Sequence, residues 1–173
     1  MVKFFIIILS ILLLNNAALS KLSEAEEVFL KKVFKNNIPK KKKLILKGEN
    51  KDKVKVIMGN KYKKRLFSYW ADENNQAWIL NSIGKYKPIT AGFIVNNCKI
   101  KSSHVIKYRE QHGYEIKFPA FLLQFTNGKI NSNMKLNVKI DNISGATLSV
   151  NSMQRMARTA LLLNKLSNED TCT

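Results

Sequence analysis

The chain has 173 residues and a formal net charge of +18, and its basic residues comprise 26 lysines and 4 arginines. Nucleic-acid recognition favours arginine, whose planar fork binds phosphate and guanine bidentately. The lysine excess is scattered along the chain, so we expect no nucleic-acid partner. An anionic membrane surface is compatible with the charge, because a basic protein is attracted to such a surface at low ionic strength.

The first 20 residues have the pattern of a secretory signal peptide. Lys3 precedes an apolar run from Phe4 to Leu14, and Ala18 and Ser20 are spaced like a cleavage site. The run has about half of the roughly 20 residues that a spanning helix needs, so a retained anchor is the less favoured alternative. We therefore expect an exported protein, in the periplasm or at the outer face of the cytoplasmic membrane.

The cysteines and histidines indicate neither a catalytic site nor a metal site. Cys98 and Cys172 are the two cysteines, and an exported chain can pair them, although a small buried Cys98 and an unpaired Cys172 are the favoured interpretation. His104 and His112 have no cysteine or carboxylate at ligand spacing. We therefore expect no catalytic residue and no bound metal.

Hydrophobic periodicity predicts an α+β fold, an antiparallel sheet of about four to six strands with an N-terminal helix and a packed C-terminal helix. Ser23 and Glu26 have the spacing of a capping box and predict a helix over residues 24–36. Residues 40–64 fit either a strand or a short helix, and the lysines at 40–43 are expected in a solvated loop.

The middle of the chain has the pattern of a sheet. Residues 66–108 contain short aromatic and β-branched runs separated by turn residues, which predict an antiparallel meander with a tight hairpin at Asn96 and Asn97. Pro119 predicts a short helical turn, and residues 135–140 alternate like a strand.

A closing amphipathic helix is predicted from near Ser149, with Arg155 and Arg158 facing outward. Its predicted core residues are Val150, Met153, Met156, Ala157, Ala160, Leu161 and Leu163. The resulting division is a signal peptide at 1–20, a helical or irregular segment at 21–65, a functional domain at 66–166 and a tail at 167–173.

The stretch DNISGATLSVNSM, residues 141–153, differs from its surroundings in its small residues and hydroxyls. It lies where a predicted strand gives way to a helix, so it directs free N–H groups and the positive end of a helix dipole at one place, which suits a phosphate. The simpler interpretation is that Ser144, Thr147 or Ser149 only caps the helix.

Residues 141–149 resemble the D-x-x-[ST]-G-A-T-x-[ST] signature of FMN-binding domains that a dedicated transferase modifies. YREQHGYEI at 108–116 and FPAFLLQF at 118–125 are similar to two further stretches of that family, and GKYKPITAGFIVNNCKI at 84–100 is similar to its central hairpin. Three ordered stretches at matching separations are more specific than one motif. Domains of this kind occur in electron-transport complexes, such as the covalent-FMN subunits of sodium-pumping NADH:quinone oxidoreductase.

The resemblance implies that the Thr147 hydroxyl receives FMN as a phosphoester, from FAD, through a magnesium-dependent flavin transferase that releases AMP. Asp141 and Ser144 match the recognition part of the signature, and Ser149 is the candidate helix cap. The implied cofactor-binding residues are Thr147, Asp141, Ser144, Gly145, Ala146, Leu148, Ser149, Phe121 and Gln124.

Phe121, Gln124 and Phe125 are expected against the isoalloxazine by motif position, with Trp78 as a weaker candidate. Core packing is an equally good interpretation of Phe118, Phe121 and Phe125, which recur at helical spacing. Tyr108, Arg109, Glu110 and Gly113 also match the family, but the sequence assigns them no role.

Two functions follow. The first is an exported electron carrier with FMN on Thr147, which relays electrons between an unidentified donor and acceptor at the membrane or outside the cytoplasm, any reductase activity belonging to a larger complex. The second is a basic, non-redox binding module for anionic membrane, cell-wall polymer or nucleic acid.

Overall fold

The computed structural model describes residues 22–167. The predicted signal peptide at 1–20 and Cys172 lie outside the described residues. Within the described range, every helix falls short of the combined length and hydrophobicity that crossing a bilayer requires.

One antiparallel sheet forms the centre of the fold, and its five strands follow one another in chain order. Each strand pairs with its sequence neighbour, so the sheet is a meander with β1 and β5 at its edges. The strands are β1 (Lys42–Ile45), β2 (Leu66–Ala71), β3 (Gln76–Ile83), β4 (Pro88–Asn96) and β5 (Lys99–Lys107). The α+β prediction is confirmed.

Helices cover both faces of the sheet. On one face, the long C-terminal helix contacts β3 and β4 and also packs against the helix at Gly48–Met58. On the other face, the N-terminal helix contacts β3 and β5. The helices are α1 (Glu24–Val33), α2 (Gly48–Met58), α3 (Pro119–Leu123) and α4 (Thr147–Ser167), and a 3-10 turn spans Tyr114–Lys117. The buried aliphatic and aromatic side chains therefore form two cores, one on each side of the sheet.

Helix α1 begins at the predicted capping box, where the Glu26 carboxylate accepts a hydrogen bond from the Ser23 N–H at 2.8 Å. Its buried face presents Phe29 to the middle of the sheet. A Cβ atom at Gly92 would lie 2.4 Å from the Phe29 ring, so the absence of a side chain at this strand position lets the helix approach the sheet closely.

Two segments differ from their sequence patterns. Residues 48–58 form a helix, which settles the choice between strand and short helix in favour of the helix, and the predicted lysine loop contributes Lys42 and Lys43 to an exposed edge strand. The strand predicted at 135–140 is wrong, because this segment contributes only an isolated bridge between Ile130 and Leu136. An alternating segment forms a strand only where a neighbouring strand pairs with it, and this segment lies outside the five-stranded sheet.

The hairpin between β4 and β5 turns one residue later than predicted. Asn96 pairs with Lys99, and the two residues between them, Asn97 and Cys98, have φ angles of 46° and 59°. Positive φ at both central residues is the requirement of a two-residue type I′ turn. The expectation of a buried thiol is also wrong, since Cys98 is half-buried in this turn and is disulfide-bonded.

The predicted core face of α4 is confirmed, because all seven apolar residues are buried. The outward orientation of Arg155 and Arg158 is wrong. Both side chains are only partly exposed, and both donate hydrogen bonds to other segments, Arg155 to the Ile83 carbonyl and Arg158 to the Met134 carbonyl. Hydropathy alone misses this, because an arginine stem packs against apolar surface while its head reaches a polar partner.

His104 is expected to make the stability of the fold depend on pH. Its ring packs against the Phe29 ring at a centroid distance of 5.4 Å. Burial, reinforced by the Lys32 charge, lowers the pKa of His104 below 6.5. The unfolded chain then binds the proton more readily, so this group's contribution to stability is full above pH 6.5 and is lost as the pH falls through that value toward the folded pKa. Chemical unfolding at pH 8 and pH 5 should show a smaller acid loss in His104→Phe than in the wild type. An equal loss in both proteins would contradict this.

Candidate functional site around Thr147

A tight turn places Thr147 at the start of the longest helix. The Ala146 N–H donates to the Ile143 carbonyl at 2.9 Å, and Gly145, at the third position of this turn, has a φ of 73°. A type II turn requires this left-handed conformation at that position, which explains a glycine there. Helix α4 begins at Thr147, two residues earlier than predicted.

Thr147 is exposed, and its hydroxyl has one side-chain partner. The Asn142 amide donates to the Thr147 Oγ1 at 2.8 Å. The neighbours Ser144, Gly145 and Leu148 are also exposed, so a second protein can reach this hydroxyl from solvent. The first N–H groups of a helix have no intrahelical acceptor, and the helix dipole adds positive potential there.

Two residues of the YREQHGYEI stretch support the turn from beneath. A Cβ at Gly113 would lie 2.5 Å from the Ala146 Cβ, and Gly113 has a φ of 85°. The Tyr108 hydroxyl lies 3.3 Å from the Ser149 Oγ and donates a short hydrogen bond to the His112 carbonyl. Ser149 is buried inside the helix and bonds to Tyr108, so the prediction that it caps the helix is wrong.

The FPAFLLQF stretch meets the same segment on its other side. The Gln124 side-chain oxygen accepts a hydrogen bond from the Asp141 N–H at 2.7 Å. The Asp141 carboxylate itself is exposed and forms an ion pair with Lys139 at 3.4 Å. The two stretches YREQHGYEI and FPAFLLQF, which the sequence singled out, therefore both contact residues 141–149.

The turn between β3 and β4 lies opposite the start of α4, and the side chains of Arg109 and Glu110 form hydrogen bonds that fix its position. The Glu110 carboxylate accepts hydrogen bonds from the Tyr86 and Lys87 N–H groups at 2.7 and 2.9 Å. The Arg109 guanidinium donates to the Pro88 carbonyl at 2.8 Å. Adjacent side chains of opposite charge thus fix this turn and the first residue of β4 that follows it.

A cavity of about 260 Å³ lies between this turn and the start of α4. Thr147 is part of its wall, so a group attached to the hydroxyl has an adjoining space to occupy. Lys85 contributes a cation and Tyr86 an aromatic ring, 75 % of which is exposed. The other lining residues are Glu110, Gln111, His112, Gly145, Ala146, Leu148 and Ser149.

Two ionisable groups of the site, Tyr108 beneath the turn and Glu110 in the cavity wall, keep the charge states that their hydrogen bonds require. Burial raises the pKa of Tyr108, so its hydroxyl stays protonated and remains a donor at neutral pH. Desolvation raises the pKa of Glu110, but the N–H groups of Lys87, Tyr86 and Lys85 outweigh it and the net shift is downward. Glu110 is therefore a carboxylate at neutral pH.

Comparison with protein families places this geometry in a known class. Residues 84–162 match the family model of the FMN-binding domain. These residues belong to the FMN-binding domain family. The match includes the β3–β4 turn, the Arg109 and Glu110 pair, Gly113 and the whole loop that leads to Thr147. No curated protein matches the chain.

The FMN-binding domain brings together some of the predicted cofactor residues and separates others. The turn exposes four of them, Ser144, Gly145, Thr147 and Leu148, and Ala146 and Ser149 pack beneath it. Phe121, in contrast, is buried in the core and makes an edge-on contact with Phe125. Trp78 is fully buried and stacks on Tyr69 at 4.6 Å. Core packing is thus the role that the structure supports for both aromatics.

Several residues of the site were missed by sequence reasoning. Asn142 occupies a variable position of the signature, and Lys85 and Tyr86 come from a turn more than 50 residues away in sequence. Their signal was the resemblance of the GKYK segment to the family's central hairpin, which gave no individual role. Among residues 22–167, no cluster of histidine, cysteine or carboxylate side chains has the arrangement of a metal site.

Asn142 is expected to orient the Thr147 hydroxyl, to which the resemblance assigns the flavin. Replacing it by leucine removes the donor and leaves the Thr147 Oγ1 without its side-chain partner, so the hydroxyl samples all its rotamers. We expect the rate of flavin transfer to fall several-fold while thermal stability changes little, because Asn142 is exposed. A time course of covalent flavin on Asn142→Leu and on an Asn133→Leu control measures this. Equal rates would exclude the role.

Proposed function

We propose that this protein is an exported electron carrier in which FMN is joined to Thr147 through a phosphoester. The observation that carries the proposal is the position of Thr147, an exposed hydroxyl at a helix start and in the wall of a cavity within an FMN-binding domain. The signal-peptide pattern of the first 20 residues supports export.

The attachment reaction fits the residue types at the turn. A flavin transferase would use FAD and magnesium, the Thr147 oxygen would form a bond to the FMN phosphorus, and the bond from that phosphorus to the AMP oxygen would break. The threonine proton is lost and AMP leaves. Because the transferase supplies the base, the site needs an accessible hydroxyl and small neighbours, and Gly145 and Ala146 meet the second requirement.

The residues present fit the phosphate of the cofactor. A phosphate on Thr147 lies beside the first N–H groups of a helix of 21 residues, where hydrogen-bond donors and the dipole both favour an anion. Lys85 adds a positive charge at the cavity wall. A carboxylate is also present, but Glu110 directs its hydrogen bonds to the opposite turn.

The cavity also suits a tethered flavin ring. Its volume of about 260 Å³ lies just below the roughly 300–1,000 Å³ of sites that enclose a whole small molecule. A ring bound there keeps part of its edge at the surface, near the exposed Tyr86 ring. That arrangement suits exchange of electrons with another protein, whereas an enzyme usually encloses its substrate.

The protein part then has the role of a holder. Bound flavin supplies reversible redox chemistry, and the chain contributes position, electrostatics and access. We propose that its partners are the transferase and a donor and an acceptor at the membrane or outside the cytoplasm, and that the basic surface assists their approach. Specific reductase activity would belong to the assembled complex.

Holoprotein exported from cells that contain the transferase tests the carrier function. We expect a flavin spectrum that survives denaturation and gel filtration, and that bleaches with dithionite and recovers in air over repeated cycles. Steady-state assays should find no specific metabolite that the isolated protein converts. A colourless protein would favour the basic binding module, and specific two-substrate turnover would show an enzyme instead of a carrier.

A further inference from the structure

A second and larger cavity lies beside the β3–β4 hairpin, with a volume of about 490 Å³. None of its lining residues lines the cavity at Thr147. It is formed where the end of α2 meets β3 and the middle of α4. The lining residues are Met58, Gly59, Asn60, Lys61, Tyr62, Asn81, Ser82, Ile83, Pro88 and Arg155. Its volume is within the usual range of small-molecule sites.

Arg155 is the group in this cavity that points to a ligand. Its Nη2 donates to the Ser82 Oγ at 3.1 Å and to the Ile83 carbonyl at 2.8 Å, and its Nε is 3.3 Å from the same Ser82 oxygen. These bonds fix the guanidinium plane on the hairpin. Nη1 has no hydrogen-bond partner among residues 22–167, so two N–H groups of a held cation remain available.

The charge of the cavity is not balanced by the residues that surround it. Its described lining contains Arg155 and Lys61 but no aspartate or glutamate, and none of the four ion pairs among residues 22–167 includes either cation. Burial, with the charge of Arg158 added, lowers the pKa of Arg155. A partly buried cation without a carboxylate partner favours an anion at the same place.

The rest of the cavity is suited to an apolar body. Met58, Ile83 and Pro88 contribute aliphatic surface, and the Tyr62 ring is largely buried, so burial raises the pKa of its hydroxyl to about 12. Tyr62 is therefore neutral at physiological pH and can donate a hydrogen bond. Apolar walls with a few polar groups at one side are typical of sites for small amphipathic molecules.

We propose that this cavity binds a small monocarboxylate with an apolar alkyl or aryl body, whose carboxylate accepts hydrogen bonds from the Arg155 Nη1. The site is independent of the proposed flavin on Thr147 and requires neither the transferase nor a redox partner. Octanoate is a suitable probe because it has this chemistry and a flexible chain that adapts to the cavity.

Titration of the isotope-labelled chain with octanoate, followed by amide NMR shifts, tests the site. We expect saturable shifts at Met58, Tyr62 and Ile83, and weaker binding of uncharged octanol. Arg155→Met keeps most of the apolar stem and should weaken octanoate at least about tenfold, the amount that a charge-assisted hydrogen bond contributes. Arg158→Met, which removes an arginine that does not line the cavity, should retain binding.

Ile83→Glu is a second variant that perturbs the fold little, because 61 % of the Ile83 side chain is exposed. Its carboxylate at the cavity should weaken octanoate and spare octanol. Thr147→Ala should bind octanoate as the wild type does, so failure of the flavin proposal leaves this result unchanged. Absence of saturable shifts in the wild type, or equal losses in Arg155→Met and Arg158→Met, would overturn the proposal.

Discussion

Replacing Thr147 by alanine is expected to remove all covalent flavin and to leave the fold intact. The change deletes the proposed acceptor oxygen, and Ser149, the next hydroxyl along the helix, is buried against Tyr108 and cannot replace it. Thr147 is exposed, so losing its hydrogen bond with Asn142 should cost little stability, about 0.5 kcal/mol. Flavin absorbance after denaturation and a thermal melt, on protein exported from the same cells, measure both effects.

The matched controls are Thr126→Ala, which removes a hydroxyl outside the site, and Ser149→Ala, which removes a buried one inside it. Both are expected to keep covalent flavin. A Thr147→Ala protein that still carries flavin after denaturation would show attachment at another residue. A Ser149→Ala protein without flavin would show that flavin transfer requires the contact between Ser149 and Tyr108.

Gly113→Ala is expected to cause the largest loss of stability of any single methyl addition at the site. The new Cβ would lie 2.5 Å from the Ala146 Cβ and 3.0 Å from the Tyr108 hydroxyl. Overpacking of this kind costs about 1–3 kcal/mol, and the left-handed φ of 85° adds roughly 1–2 kcal/mol for a residue with a side chain. Because Ala146 directly precedes Thr147, the proposed acceptor, flavin transfer should fall as well.

Gly48→Ala separates the two causes. Gly48 also has a positive φ, 49°, but a Cβ there has no atom within 4 Å, so only the backbone strain applies. Urea unfolding should show Gly113→Ala to be less stable than Gly48→Ala by the overpacking term. Equal losses would mean that the contact between Gly113 and Ala146 relaxes without cost.

Local patterns were sufficient to predict most of the fold. The four strands from Leu66 to Lys107 have clear alternation and turn residues, and the capping box gives the start of α1. Residues 48–58 were ambiguous because a short segment can satisfy both periods. The edge strand β1 was missed because its lysines have no strand pattern in the sequence, and its pairing with β2 arises only in the assembled sheet.

The candidate site was only partly accessible to sequence reasoning. The motif gave Thr147 and its loop, because glycine and small residues at a strand-to-helix junction have a local physical cause. The contacts of Tyr108, Arg109 and Glu110 bridge 21 to 41 residues of chain and depend on how the sheet and α4 meet. The motif position of Phe121 suggested a flavin contact and Trp78 was a weaker candidate, yet burial assigns both to the core.

The proposed bond between FMN and the Thr147 oxygen is tested most directly by mass analysis of one tryptic peptide. Cleavage after Lys139 and Arg155 releases residues 140–155, which contain Ser144, Thr147 and Ser149. For protein exported from cells with the transferase, we predict a mass increase of one FMN less one water, with fragment ions that assign it to Thr147. An unmodified peptide, or a modification on another residue, would contradict the proposal.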